Sequence, residues 1–324
     1  MVKPANNDLH SMIRLWSSRQ VPQKMLGAVI ALGNFDGLHL GHQAVVAEAA
    51  RMARATSRPL IVATFSPHPV HYFQTDAEPF ELTNLAQRAE LFAGAGADGM
   101  LIFEFGAALA NTSALSFIKD LLAQKFRASG VVTGNGFRFG KQICGDAPFL
   151  IKHCADFGFS VSFVEDISQA GEKISSTKIR EALRAGRCLA AEKMLSRPFS
   201  VVGPVTFDCD HQNPILQIDG YVAPRPGRYL ATCRLASGCM APAVVDVLKG
   251  SAGAALRLQL LVGDVAFDHR PVEIAFVSDE CGDSRLIAEV AGNSPLAAPA
   301  LTTAASRAVS QLSHAASYRL RTTF

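Results

Sequence analysis

No stretch of this 324-residue chain stays apolar long enough to span a bilayer, and its first residues, with Asn6, Asn7, Asp8 and His10, lack the apolar segment of a secretory signal. No charge of one sign dominates. The 31 Lys and Arg against 28 Asp and Glu leave +3, too mild a balance to expect nucleic acid as a partner. Seven cysteines lie scattered at 144, 154, 188, 209, 233, 239 and 281, never as a C-x-x-C pair. An odd, dispersed set argues against a disulfide framework and gives a zinc site little support, so reduced thiols in a cytoplasmic protein are expected. Charged residues are 18% and hydrophobic ones 49%, which excludes disorder as the global state.

The length suggests two domains. Apolar runs at 27–32, 60–65, 100–105, 130–134 and 159–164 read as strands, with helical patterns between them at 41–57, 84–95, 113–126, 148–157 and 175–185. Thr112 or Ser113 is expected to cap the third of these helices, with Leu115, Ile118, Leu121 and Leu122 as its apolar stripe. This alternation predicts an α/β domain built on a doubly wound parallel sheet. After Arg197-Pro198 short β-like runs separated by Pro and Gly predict a small antiparallel barrel or sandwich. We expect domains at 1–197 and 198–290, followed by an Ala/Ser-rich tail at 291–324.

The most informative segment is Gly33-Asn34-Phe35-Asp36-Gly37-Leu38-His39-Leu40-Gly41-His42, between the first predicted strand and the helix after it. Ligands of open α/β sheets bind at that carboxyl edge, and a helix N-terminus there offers N–H groups and a positive dipole to phosphate. His39, expected to be exposed at the cleft, and His42 add imidazole donors, while Gly37 and Gly41 permit close approach. The turn therefore reads as a polyphosphate site that lacks the lysine of a P-loop.

Further segments fall at the same edge. Thr64-Phe65-Ser66-Pro67-His68-Pro69 ends the second strand, its prolines expected to point His68 into the crevice. Gly134-Asn135-Gly136-Phe137-Arg138-Phe139-Gly140-Lys141 follows the fourth, with Gly145-Asp146 closing the loop; it offers two aromatic faces for a ring system and two cations. Ile174-Ser175-Ser176-Thr177-Lys178-Ile179-Arg180 opens a helix, with Ser175 or Ser176 as cap, and reads as a second anion site.

Taken in order and spacing, H-x-G-H, T-F-x-P-H-P, an F-R-F-G loop and I-S-S-T-x-I-R, with Leu82-Thr83 and Arg88, resemble the bacterial bifunctional riboflavin kinase/FMN adenylyltransferases over about residues 14 to 203. The resemblance implies a Rossmann-like nucleotidyltransferase domain followed by a small antiparallel β-barrel. It implies an FMN adenylyltransferase that moves AMP from ATP to FMN, giving FAD and pyrophosphate, with Mg²⁺ expected at ligands the sequence does not name. On that pattern His39, His42 and Arg180 are the catalytic candidates. Gly33, Asn34, Phe35, Gly41, Ser176, Thr177 and Lys178 fall on the ATP side, and Pro67, His68, Phe137 and Arg138 on the FMN side. Partners are then the small molecules FMN and ATP, with neither nucleic acid nor membrane involved; the oligomeric state is unknown.

Two positions depart from the family pattern: Gly136 stands where an Asn or Asp is usual, and Lys178 replaces an Arg. The larger departure is in the second half. The family's kinase signature is a glycine-rich segment leading to G-F-P-T-A-N, with a Glu base in an L-E-V-H-L-like strand. Here Arg197 to Gly203 fits, but Pro204 to Leu216 holds neither feature, and Leu256-Arg257-Leu258-Gln259-Leu260 offers Arg257 where the base belongs. An arginine cannot accept a hydroxyl proton at neutral pH, so we expect a barrel whose kinase activity is lost. Three alternatives stay open: a fully bifunctional enzyme, an adenylyltransferase acting on another phosphorylated acceptor, and a flavin- or nucleotide-binding regulator without turnover.

Overall fold

The computed structural model describes residues 14–18, 21–207, 214–250, 253–261, 267 and 270–279. They form two compact units, one from the residues up to Ala77 with Leu85–Ile174, the other from Glu78–Asn84 and the residues from Ser175 on. The expected tail at 291–324, and Asp208 to Asn213, lie outside the described residues.

The first unit is built on six parallel strands: β1 (Arg14–Ser17), β2 (Val29–Leu32), β3 (Leu60–Ser66), β4 (Gly99–Glu104), β5 (Gly130–Gly134) and β6 (Ser160–Val164). Their order is β1-β4-β3-β2-β5-β6. The chain runs outward to β3 and β4 on one side of β2 and to β5 and β6 on the other, so the strand order reverses at β2. Period-two alternation sends Val29 and Ala31 to one face, against α1 (Leu40–Thr56) and α3 (Leu85–Gly94). Ile30 and Leu32 pack on the opposite face, which is the doubly wound layout the alternation predicts. That face is covered by α5 (Ala114–Ser116), the π-helical run Phe117–Lys125 that continues it, and α6 (Ala147–Cys154). Two shorter helices, α2 (Pro69–Phe73) and α4 (Ala107–Ala110), fill the connections.

Ser113, not Thr112, caps its helix, accepting from the Ser116 N–H at 3.0 Å. Leu115, placed on the apolar stripe by a 3.6-residue period, is 43% exposed; Ala114, Phe117, Ile118 and Leu122 are the buried positions. Winding into a π-helix changes which residues share a face, and so removes Leu115 from the core side. The first unit also contains two features the pattern did not suggest. The edge strand β1 lays the Trp16 ring over Gly99, where a Cβ would collide with it. A hairpin of β7 (Ser168–Gln169) and β8 (Glu172–Lys173) closes the unit.

The second unit carries α7 (Ser176–Arg184), α8 (Cys188–Leu195) and seven antiparallel strands. These are β9 (Ser200–Gly203), β10 (Val205–Phe207), β11 (Pro214–Gln217), β12 (Gly227–Arg234), β13 (Met240–Gly250), β14 (Gly253–Leu260) and β15 (Val272–Phe276). The order is β10-β11-β14-β13-β12-β15-β9. Its two end strands, β9 and β10, are joined by Pro204 alone, so the sheet must curl until its edges meet at that corner. Ile179, Leu183, Cys188 and Leu195 of the two helices share one core with Phe199, Tyr229, Leu256 and Phe276 of the strands.

Candidate functional site

At the carboxyl end of β2 the chain turns through Phe35, Gly37 and Leu38 with φ of 50°, 81° and 40°. Left-handed backbone costs a non-glycine residue about 1–2 kcal/mol, so Phe35 and Leu38 hold it only because their surroundings enforce it. Both side chains are buried, and the Phe35 ring meets Phe92 of α3 edge-on at 5.9 Å. Phe35 thus serves this site by packing. Hydroxyls from neighbouring strands brace the turn: Thr133 Oγ1 donates to the Leu32 carbonyl at 2.8 Å and Thr64 Oγ1 to the Asn34 carbonyl at 2.6 Å. Gln43 Nε2 donates to the Leu38 carbonyl at 2.9 Å.

In the middle of the turn, Arg88 Nη2 donates to Asp36 Oδ1 at 3.2 Å, and both side chains are 1% exposed. Sequence reasoning named Arg88 only through the family pattern and missed this pair. A signal existed: Leu85, Arg88, Ala89 and Phe92 share the helical spacing of a buried stripe, which puts a guanidinium among apolar neighbours.

His39 is the N-cap of α1 and its Nδ1 accepts from the His42 N–H at 3.3 Å. An accepting Nδ1 places the ring proton of the neutral imidazole on Nε2, which makes that nitrogen the donor. The His39 and His42 rings stack at 3.6 Å between centroids, 18° from parallel. Gly41 allows this, since a Cβ there would stand 3.1–3.2 Å from the His39 ring. The expectation of an exposed His39 is corrected: it is 6% exposed, because capping folds its ring back over the helix start.

At the end of β3, His68 caps α2, its Nδ1 accepting from the Val70 N–H at 3.2 Å, and it too is buried, whereas Pro67 is exposed. Beyond it lies an aromatic cluster absent from the sequence reading. Tyr72, Phe73 and Phe105 meet one another at 5.2–5.8 Å, and Phe73 is 68% exposed.

In the loop after β5, Asn135 Nδ2 donates to Glu165 Oε2 at 3.3 Å, and Gly136 is exposed. Phe139 and Gly145 bond in both directions at 3.0 and 2.8 Å, closing the loop as expected. The expectation of two aromatic faces is corrected, because Phe139 is 7% exposed and packs on Phe117 and Phe149, leaving Phe137 stacked upon it. Arg138 is exposed and paired with Asp146 at 2.7 Å; Asp146 also caps α6.

Ser176, Thr177, Lys178 and Arg180 belong to the other unit, at the start of α7. Ser175 caps that helix by accepting from the Lys178 N–H at 3.3 Å. Arg180 Nε donates to the Phe80 carbonyl at 2.7 Å and its guanidinium lies 4.8 Å above the Phe80 ring. Large titration shifts belong to packed groups of this second unit. Burial, and then the Asp279 charge, push the Cys188 thiol up to about 12; burial lifts Cys233 to about 11 and, as the leading cause, Tyr221 to about 12.

Among the described residues, no group of three or more His, Cys, Asp or Glu side chains could hold a metal ion, and no helix is long and apolar enough to cross a membrane. At the turn the Asp36 carboxylate is buried against Arg88, and with the imidazoles and hydroxyls around it does not form a cage for a hard cation.

Comparison with known proteins identifies the same region. Residues 21–178 match the FAD synthetase family. The chain is 36% identical over 186 residues to the bifunctional riboflavin kinase/FMN adenylyltransferase of Escherichia coli K12, covering 57% of this chain and 59% of that relative. To the Pseudomonas fluorescens protein of the same name it is 30% identical over 295 residues, covering 84% and 94%. Among solved structures, a macrolide-efflux protein from Streptococcus pneumoniae superposes with a TM-score of 0.73 at 21% identity, over 85% of this chain and 95% of that one, a likeness of fold. Strand order, the histidine turn and a match running nearly the whole length of a relative agree: this chain belongs to the bifunctional riboflavin kinase/FMN adenylyltransferase family, the FAD synthetases.

Proposed function

We propose that this chain adenylylates FMN, with ATP as donor and FAD and pyrophosphate as products. The observation that carries the reading is the pair of stacked imidazoles at the N-terminus of α1, where the strand order of the sheet reverses. A phosphate oxygen of FMN attacks the α-phosphorus of ATP in line, the bond to the bridging oxygen breaks, and pyrophosphate leaves with that electron pair. No covalent enzyme intermediate is required, so the work of the protein is positioning and charge stabilisation. His39 through Nε2–H, His42, and the backbone of Gly33, Asn34 and Gly41 contact the ATP phosphates in this reading. Ser176, Thr177, Lys178 and Arg180 are assigned to the β and γ phosphates. Mg²⁺, for which the described residues of the turn form no cage, would supply charge neutralisation at the phosphates when bound with the nucleotide. Pro67, His68, Phe137 and Arg138 are assigned to FMN, and beside them the exposed Phe73 ring, held edge-on by the half-buried Tyr72 and Phe105, offers an aromatic face to its ring system.

We further propose that riboflavin kinase activity is lost. In β14 the side chains of Leu256 and Leu258 are buried and Arg257 between them is exposed, set opposite Asp246 in the register. A permanently protonated guanidinium cannot take the riboflavin hydroxyl proton. Purified protein with FMN, ATP and Mg²⁺ is expected to release pyrophosphate and form FAD in equal amounts. Tight nucleotide binding without either product would support the regulator reading instead.

A further inference from the structure

One buried charge pair takes no part in the chemistry above: Arg88 on α3 and Asp36 in the histidine turn. We infer that this pair is a positioning device, which sets the geometry of residues 33–42 and through it the affinity for a polyphosphate and the rate of transfer, without either residue touching substrate. The inference rests on the function proposed above.

Stability alone does not account for such a pair. Removing two charges from water offsets most of their attraction, and apolar replacements of similar volume are often neutral or stabilising. Arg88 stands on an otherwise apolar stripe with Leu85, Ala89 and Phe92, where a methionine would fill comparable space. What the pair adds is direction. Asp36 lies between Phe35 and Gly37, both with positive φ, so the chain reverses on either side of it. The flanks of the turn are held at Asn34 by Thr64 and at Leu38 by Gln43. The middle is held at Asp36 by a planar guanidinium on a helix 52 residues further along. Three anchors at alternating positions leave the turn little freedom before it delivers His39 as the cap of α1. Losing the middle anchor lets Phe35 and Leu38 relax from their left-handed backbone, and the stacked rings move with them.

The test uses the full chain with Arg88→Met, Asp36→Asn, the double variant and Arg88→Lys. It reads thermal melting, affinity for a non-hydrolysable ATP analogue, and KM and kcat for FAD formation. Each of the Arg88→Met and Asp36→Asn single variants breaks the ion pair from one side and is expected to melt lower. The double variant is expected to melt close to the wild type yet bind the analogue more weakly and turn over about 10²-fold more slowly. Wild-type affinity and turnover in the double variant would overturn the inference. Should the double variant melt as low as the singles, Arg88→Lys decides: it keeps the charge without the planar fork, and undiminished turnover in it would overturn the inference. A wild-type chain that forms no FAD would sink the proposed function, while analogue affinity in the double variant would still judge the pair.

Discussion

Among the described residues of the first unit, six of the seven buried polar side chains, all but Gln87, gather at one end of the sheet. Asp36 and His39 follow β2, Thr64 and His68 end or follow β3, Thr133 lies in β5, and Arg88 reaches the same turn from α3. In the second unit Cys188, Tyr221 and Cys233 are dispersed through one continuous core of Phe199, Tyr229, Leu256, Phe276 and their neighbours. Desolvation costs each group something, but in the first unit the cost is concentrated where bonds converge on a single turn. In the second it is the by-product of close packing. Polar burial therefore marks a site only where the groups address one another and a common stretch of backbone.

Substitutions in the two units should act differently. The largest effect is expected from His39→Ala, which removes the Nε2–H donor and should lower kcat for FAD formation on the order of 10²–10³-fold, as loss of a transition-state donor does. Its helix-capping role accounts for only about 1 kcal/mol, so circular dichroism should report a folded protein. In the second unit, Phe276→Ala leaves a cavity in a fully buried position and should cost about 3–5 kcal/mol in urea denaturation. A loss below about 1 kcal/mol there would mean that the core collapses around the gap.

Alkaline pH separates the two kinds of burial further. Cys188, Cys233 and Tyr221 hold their protons to about 12, 11 and 12 in the folded chain, against 9, 9 and 10 ordinarily. Above about pH 9 the unfolded chain releases these protons first, so stability contributed by the neutral groups is complete below that pH and is lost as pH rises towards 12. Denaturation midpoints measured at pH 8, 9.5 and 11 should fall in that order, and a flat profile would remove these groups from the account. The smallest effect is expected from Arg257→Ala, an exposed position on β14, whose stability should stay within about 0.5 kcal/mol of wild type.

Much of this architecture could be read from residues alone. Each of the five apolar runs overlaps a strand of the parallel sheet: β2, β3 and β5 are buried almost throughout and write themselves as apolar runs, whereas the partly exposed β6 alternates apolar residues with Ser160 and Ser162. β1, β7 and β8 are only two to four residues long and leave no comparable pattern. The exposure of Leu115 depended on helical winding, which composition does not encode. His39 is expected at the cleft and Phe139 as an open aromatic face, yet one caps a helix and the other fills a core through contacts with Phe117 and Phe149, outside its own loop. The Asp36–Arg88 pair joins residues 52 apart, and such a link emerges only once α3 is docked on the sheet.

We propose that one half of this chain transfers a nucleotidyl group while the other keeps a β-sheet fold without kinase chemistry. Chromatographic separation of flavins after incubating the purified chain with ATP and Mg²⁺, once with FMN and once with riboflavin, tests both halves together. FAD from FMN and no product from riboflavin is the predicted result. FMN appearing from riboflavin, or no FAD from FMN, would contradict it.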